Sequence, residues 1–322
     1  MPGGQERALR RRISSVQSTK KITRAMELIA ATRVVKAQQR AHAARPYATK
    51  LTGVIEDVAA GGTEASHPLL ERREVVRRIG FVVITSDRGL AGPYNSSVIK
   101  AAERELMDAQ TRGQDYSLML IGKKGQDYFR FRNYRIDEAF EDMSDTPTYE
   151  DARRVAEIVA ERFESGYIDE VILTYMEFVT IGTQRVAVRR FLPLESIEVI
   201  ATSGSGEQRA AFEFEPSPEG VLESLLPRYV ESRLFSALLD AAASEHANRQ
   251  RAMKAATDNA EELITKLTRA MNRARQDAIT TEIMEIVGGA EALKQDDRDR
   301  VVASHIASND AAAHLAAELI SQ

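Results

Sequence analysis

From Arg228 to Val287 the chain runs for sixty residues without a glycine or a proline. Strong helix formers fill the run, and an unbroken helix of that length extends about 90 Å at 1.5 Å per residue. Leu234, Leu238, Ala242, Met253, Ala256, Ala260, Leu263, Leu267, Met271, Ala274, Ala278 and Thr281 recur at steps of mostly three and four and mark a seam. Ser217-Pro218 reads as an N-cap followed by proline at the first helical position. Pro227 is expected to kink or restart the helix. Glu245/Arg249 and Glu262/Lys266 form i,i+4 pairs in the favourable orientation, expected on the outer face. A helix this long needs a partner, because helices gain most of their stability by packing one face.

The available partner is at the other end of the chain. Between Glu6 and Arg45 there is again neither glycine nor proline, and the composition predicts one helix from about residue 5 to 58, ended by Gly61-Gly62 and Pro68. Its apolar positions Ile13, Val16, Met26, Ile29, Ala30, Ala37, Ala41 and Ala44 form a thin stripe of mostly small residues. Such a stripe suits close contact with one helix more than burial in a broad core.

Between these helices the hydrophobic period changes. Ile79-Gly-Phe-Val-Val-Ile-Thr85, Tyr116-Ser-Leu-Met-Leu-Ile-Gly122 and Glu170 to Val179 read as strands, separated by helical stretches at Ser96 to Thr111 and Tyr149 to Glu164. Strands alternating with helices predict a βαβ domain with a parallel sheet. Gln184 to Leu194 reads as a further strand, antiparallel to the third through a turn at Gly182. The fold class is therefore α/β: a long antiparallel coiled coil of the N- and C-terminal helices with an inserted Rossmann-like βαβ domain. The expected boundaries are 1–58 for the first helix, 75–205 for the inserted domain, 217–293 for the second helix and 294–322 for a C-terminal extension.

Charge is distributed unevenly along the 322 residues. The first fifty carry twelve basic residues against Glu6 and Glu27, a balance of +10 within a formal net charge of −4 for the whole chain, so the remainder carries −14. That split points to an anionic partner for one end: nucleic acid, lipid or an acidic protein surface. The chain has no cysteine, which excludes disulfides, thiolate zinc sites and thiol catalysis. Its five histidines never fall three or four apart, so no two chelate a metal from one helix face. Apolar runs stay well below the roughly 18 residues of a membrane span.

Two motifs carry alternative functions. The turn Asp87-Arg-Gly-Leu-Ala-Gly-Pro-Tyr-Asn95 follows a strand and precedes a helix, where a phosphate-binding loop would sit. It lacks the third glycine of G-x-G-x-x-G and the Lys-Ser/Thr of a P-loop, which favours a structural turn over a nucleotide-binding enzyme. The basic cluster from Arg10 to Arg24 suits a nucleic-acid backbone or a solvated face, and it has no aromatic residue on which bases would stack.

Arg11-Arg-Ile-Ser-Ser-Val-Gln-Ser-Thr-Lys-Lys-Ile-Thr-Arg-Ala-Met-Glu-Leu-Ile-Ala-Ala-Thr-Arg33 resembles the N-terminal helix of the gamma subunit of F-type ATP synthase. Ser86 to Asn95 resembles that family's turn after its first strand. Met253 to Ala260, together with Asn272 to Gly289, is the most specific match. The resemblance covers residues 8 to about 293 and implies a non-catalytic rotor shaft, one copy per complex. The terminal helices would turn inside the alpha/beta hexamer, and the βαβ domain would lie beside the epsilon subunit and the membrane c-ring. It implies contacts with the hexamer at Met26, Arg249, Arg275, Gln276 and Thr280, with simple seam packing an equal reading for Met26. It also implies c-ring and epsilon contacts at Phe212, Phe214 and Glu215, where phenylalanine replaces the family's usual phenols. No cofactor, nucleic acid or direct membrane insertion is implied, and the location implied is the cytoplasmic face of a bacterial plasma membrane. The anionic partner of the basic end is then protein, and the motif's start near residue 10 speaks against a transit peptide. Beyond Ala292 the chain outlasts the family pattern; Lys294 to Arg300 reads as a solvated linker and Asp310 to Ile320 as a separate short helix.

Overall fold

The computed structural model of the chain describes residues 2–60, 67–194 and 217–320. In chain order these form α1 (Pro2–Ala60), a 3-10 turn (Pro68–Leu70), β1 (Arg78–Ile84), α2 (Tyr94–Thr111), β2 (Asp115–Ile121) and α3 (Lys123–Phe131). There follow β3 (Glu138–Phe140), α4 (Tyr149–Glu164), β4 (Glu170–Phe178), β5 (Gln184–Leu192) and α5 (Pro218–Ile320). The chain divides into two compact units, one comprising Ile22–Ala256 and the other Met1–Lys21 with Thr257–Gln322.

The larger unit is built on a five-stranded sheet of order β3-β2-β1-β4-β5. Its pairs are parallel except β4 with β5, the antiparallel hairpin expected around Gly182. The period-two alternation of side chains sorts the strands into two cores. Ile79, Phe81 and Val83 face α2 and Phe129 of α3 on one side, with Leu118 and Leu120 of β2. Val82 and Ile84 face the other side, where α4 contributes Ala152, Val155, Val159 and Phe163. A Thr148–Asp151 capping box starts α4. The second core also takes in the ends of both long helices: Leu51, Ile55 and Val58 of α1 with Leu222, Leu226, Val230 and Leu234 of α5.

In the smaller unit, burial falls on Ile13, Val16 and Lys20 of α1 and on Thr257, Ala260, Ile264, Leu267, Met271, Ala274 and Ala278 of α5. These steps of three and four make a heptad seam in which the small Thr257, Ala260, Ala274 and Ala278 stand among larger side chains. Lys20 pairs with Glu261 across it at 3.1 Å. Two expected seam positions are corrected by one residue. Leu263 is exposed and Ile264 takes its place; Ile29 in the larger unit is exposed, and the buried line there is Thr23, Glu27, Ala30, Val34 and Ala37. The strict alternation of three and four steps from Thr257 to Ala278 decides burial: Ile264 keeps it, and Leu263, of the same size, does not. Thr281 is exposed too, and from Ile279 to Ser304 every residue of α5 is exposed.

α5 also departs from expectation at one breaker and one linker segment. It continues through Pro227, where Leu222, Leu226 and Val230 are at most 1% exposed and hold the flanking turns in place. It continues through Lys294 to Arg300 to Ile320 in place of a linker and a separate helix. Lys294–Glu291 and Arg300–Asp296 pairs at helical spacing support that last segment. The short α3 and β3 were not anticipated, because nine and three residues are too few for periodicity to register.

Gly122, between β2 and α3, has φ +93°, and a Cβ there would lie 2.2 Å from the Thr85 carbonyl oxygen. A side chain meets both an unfavourable backbone region and main-chain atoms that cannot yield. Gly122→Ala is expected to destabilise the chain by about 3 kcal/mol or more, read as a fall in the urea midpoint at unchanged slope.

Candidate functional site

Most of α5 shows one buried face, but residues 241–249 are buried without interruption, so the helix is enclosed there on all sides. The enclosed stretch is Ala-Ala-Ala-Ser-Glu-His-Ala-Asn-Arg. Its polar half meets three loops of the α/β fold. Arg249 donates to the carbonyls of Arg88 and Gly89 at 3.4 and 3.3 Å, in the turn after β1. Gly92 of that turn (φ +55°) passes so close that an added Cβ would touch Ala252 at 3.6 Å. His246 Nε2 lies 3.2 Å from the Asp145 carbonyl oxygen and 3.5 Å from its carboxylate, in the loop before α4. Asn248 donates to the Gln184 side chain at 3.3 Å, and Arg251 donates to the Gly182 carbonyl at 2.8 Å, in the β4–β5 turn.

The loops are themselves tied together. The Asp87 carboxylate accepts from the backbone N–H of Lys123 (3.1 Å) and of Ser144 (3.3 Å), and the Asp87 N–H donates to Ser144 Oγ (2.9 Å). Both oxygens of the Asp145 carboxylate accept from one nitrogen, Nη1, of the Arg33 guanidinium on α1. All three loops lie at the carboxyl ends of β1, β3 and β4. In the order β3-β2-β1-β4-β5 the chain changes direction between β1 and β4, the switch point outside which open α/β sheets take their ligands. Here Arg249, Asn248 and Arg251 of α5 stand over that crevice.

Burial sets the electrostatics of this junction. Glu245 is 1% exposed and its carboxyl is held above the usual range by burial, against the pull of Arg249, whose guanidinium reaches Oε1 at 2.7 Å. Burial lowers His246, favouring the neutral imidazole, and raises Tyr94 beneath the same helix. Glu245 Oε2 and Ser244 Oγ are buried without a hydrogen-bond partner. Asp145, Glu245 and His246 offer ligand atoms within 4.8 Å of one another. They do not suit a resident metal, because each carboxylate already holds a guanidinium and a divalent ion would lie against two fixed positive charges.

The residues expected to act divide accordingly. Arg275, Gln276 and Thr280 are exposed on α5 and available to a partner; Met26 is half-buried beside the α1 seam. Arg249 is 8% exposed and engaged within the chain, and the Glu245/Arg249 pair expected on the outer face is buried. Phe212, Phe214 and Glu215 lie outside the described residues. Sequence reasoning missed Arg33, Asp145 and His246, which stand 112 and 101 positions apart at their contacts. The one available signal was a lone histidine beside a glutamate in an alanine-rich helix.

A family profile described as ATP synthase matches residues 5–293. The ATP synthase gamma chain of Frankia casuarinae is 52% identical over 294 residues, covering 90% of this chain and 98% of that one. The chain belongs to the ATP synthase gamma chain family. The gamma chain of Kineococcus radiotolerans is 48% identical and that of Streptomyces avermitilis 49%, each over 90% of this chain and 97% of theirs. In fold, the chain is similar to a chain of the Euglena gracilis mitochondrial ATP synthase, at a TM-score of 0.63 and 16% identity, covering 90% of this chain and 95% of that one. A chain from the central stalk and c-ring of the Tetrahymena thermophila enzyme matches at a TM-score of 0.56 and 23% identity, over 73% of this chain and 99% of that one. The family profile ends at residue 293, whereas α5 runs on to Ile320.

Asp240, just before the enclosed stretch of this gamma-family helix, lines a cavity of about 260 Å³ with Glu177, Arg189 and Tyr175. Burial, with a smaller push from Glu177, raises its carboxyl from 3.8 to about 6. An acid raised on folding binds its proton more tightly in the native state, so its burden is absent below the unfolded value and complete above the folded one. Asp240→Asn is expected to stabilise the chain by up to about 3 kcal/mol near pH 8 and to have no effect near pH 3. Thermal midpoints of the two proteins at both pH values check this.

Proposed function

We propose that the chain is the central rotor shaft of a bacterial F-type ATP synthase, coupling rotation of the membrane c-ring to conformational change in the alpha/beta hexamer. The observation that carries this reading is the enclosed polar junction that fixes one very long helix onto an α/β fold. It is an arrangement for holding a shaft, and the same helix covers the crevice where a nucleotide-binding enzyme of this topology would take its ligand. The chain is then not itself a catalyst, and ATP chemistry belongs to its partners.

A shaft answers a mismatch of magnitudes. One elementary charge crossing 100 mV releases about 2.3 kcal/mol, too little for one ATP, so several translocation steps must be summed mechanically. The exposed face of α5 supplies the means of contact. Arg275, Gln276 and Thr280 are assigned to the hexamer, with Met26 on α1. Phe212, Phe214 and Glu215 are assigned to the c-ring and epsilon side. The excess of arginine and lysine on α1 suits acidic surfaces passed in turn, since exposed ion pairs worth about 0–1 kcal/mol exchange without trapping the rotor. Among the described residues no helix is long and apolar enough to cross a membrane. Attachment to the cytoplasmic face of the plasma membrane would therefore run through the c-ring.

Co-expression with alpha and beta chains is expected to yield a complex with ATPase activity, and failure to assemble one would sink the rotor reading. Within the complex, replacing Arg275 and Gln276 together by alanine should lower ATP synthesis severalfold while leaving assembly intact. Unchanged synthesis would remove both residues from the contact set.

A further inference from the structure

We infer that Asp145 is a charged post by which the α/β fold grips both long helices at once, beside the ring contacts of Tyr149 with Tyr47 and Phe235, and that the bridge Arg33–Asp145–His246 transmits torque between the fold and the shaft. The inference rests on the rotor reading and adds to it the internal positioning residues.

The geometry around Asp145 is that of a fixed post. On one side, the neighbouring Ser144 exchanges two hydrogen bonds with Asp87 in the turn after β1. On the other, the Thr148–Asp151 capping box begins α4 three residues later. The post therefore belongs to the sheet. Both its carboxylate oxygens accept from Arg33 Nη1 of α1, and its carbonyl and carboxylate face His246 of α5, which is 1% exposed. The His246 Nδ1 in turn lies 3.5 Å from the Arg249 guanidinium, which reaches back to the turn after β1. One residue of the α/β fold thus contacts two elements that are far apart in sequence.

Apolar packing alone leaves such a grip weak. The helix surfaces at this level are mostly alanine: Ala30, Ala37 and Ala41 with Val34 on α1, and Ala241, Ala242, Ala243 and Ala247 on α5. Burial of apolar area is non-directional, so a small-residue surface resists separation of the helices far better than rotation of one about its axis. Hydrogen bonds weaken steeply with angle, so a bonded post resists rotation. Buried charged groups seldom add net stability and are best attested as devices that fix register. A polar cluster in the most enclosed part of α5 therefore fits torque transmission better than it fits stabilisation.

The test uses the assembled enzyme in inverted membrane vesicles and reads protons pumped per ATP hydrolysed. Asp145→Asn and Arg33→Gln are each expected to lower that ratio about twofold or more, the scale of changes within a coupling network, while hydrolysis continues. Because the two act through one bridge, the double variant should be no worse than either single one. Asp145→Glu, which keeps the charge, should recover part of the ratio. A purely structural role would lower assembly, hydrolysis and pumping together at constant ratio, and that result overturns the inference. Should Asp145→Asn fail to fold, Arg33→Gln carries the same test from a partly exposed helix position. A wild-type assembly that does not pump defeats the rotor reading itself; a pumping wild type matched by both variants defeats only the bridge.

Discussion

The structure depends on directional bonding where α5 is enclosed. Hydrophobic contact holds the helix ends to the sheet through Leu51, Ile55, Leu226 and Val230, and such contact tolerates sliding and turning because it has no preferred angle. Orientation comes instead from His246, Asn248, Arg249 and Arg251, whose partners lie on three loops at the carboxyl ends of the strands, while Glu245 holds the Arg249 guanidinium from within the helix. A buried and partly unsatisfied carboxylate at Glu245 is an expensive way to gain stability. It makes sense only where orientation matters more than stability.

The same arrangement explains why a doubly wound topology here points away from nucleotide chemistry. The sheet has the switch point that such folds use for ligands, but the loops around it are bonded to one another and to a helix of the same chain. Asp87 ties the β1 turn to the start of α3 and to the loop before α4. The edge at which such folds take ligands is here bonded into a socket for α5. Fold class alone was a poor guide to activity, as is general for widely shared folds.

Much of the architecture was legible in the sequence because its signals are long. Runs without glycine or proline mark α1 and α5, and short apolar runs mark β1, β2 and β4. Tyr149 to Glu164 was readable to its ends because Thr148 and Asp151 form a cap. What failed was short or non-local. Leu263 suits a seam by type as well as Ile264 does, and only the strict alternation of three and four steps selects Ile264; Pro227 carries less breaking power than its type suggests, because the neighbouring turns are held by burial. Arg249 was read as facing outward because its i,i+4 partner looks like a surface pair, and nothing local records the loops that bury it. Arg33 and Asp145 could not be joined at all, since the fold alone brings them together.

A heptad seam repeats itself every seven positions, so two such helices can in principle meet in several alignments of similar packing. Lys20, seated on that seam, works as an index mark. Aligned as observed, it meets Glu261; displaced by one heptad it would meet Lys254 in one direction or Thr268 in the other. One misalignment sets like charges together and the other leaves the ammonium without a carboxylate. Strands of a coil separated by an entire inserted domain must find each other late in folding, and a weak surface pair suffices to bias that search without stiffening the result.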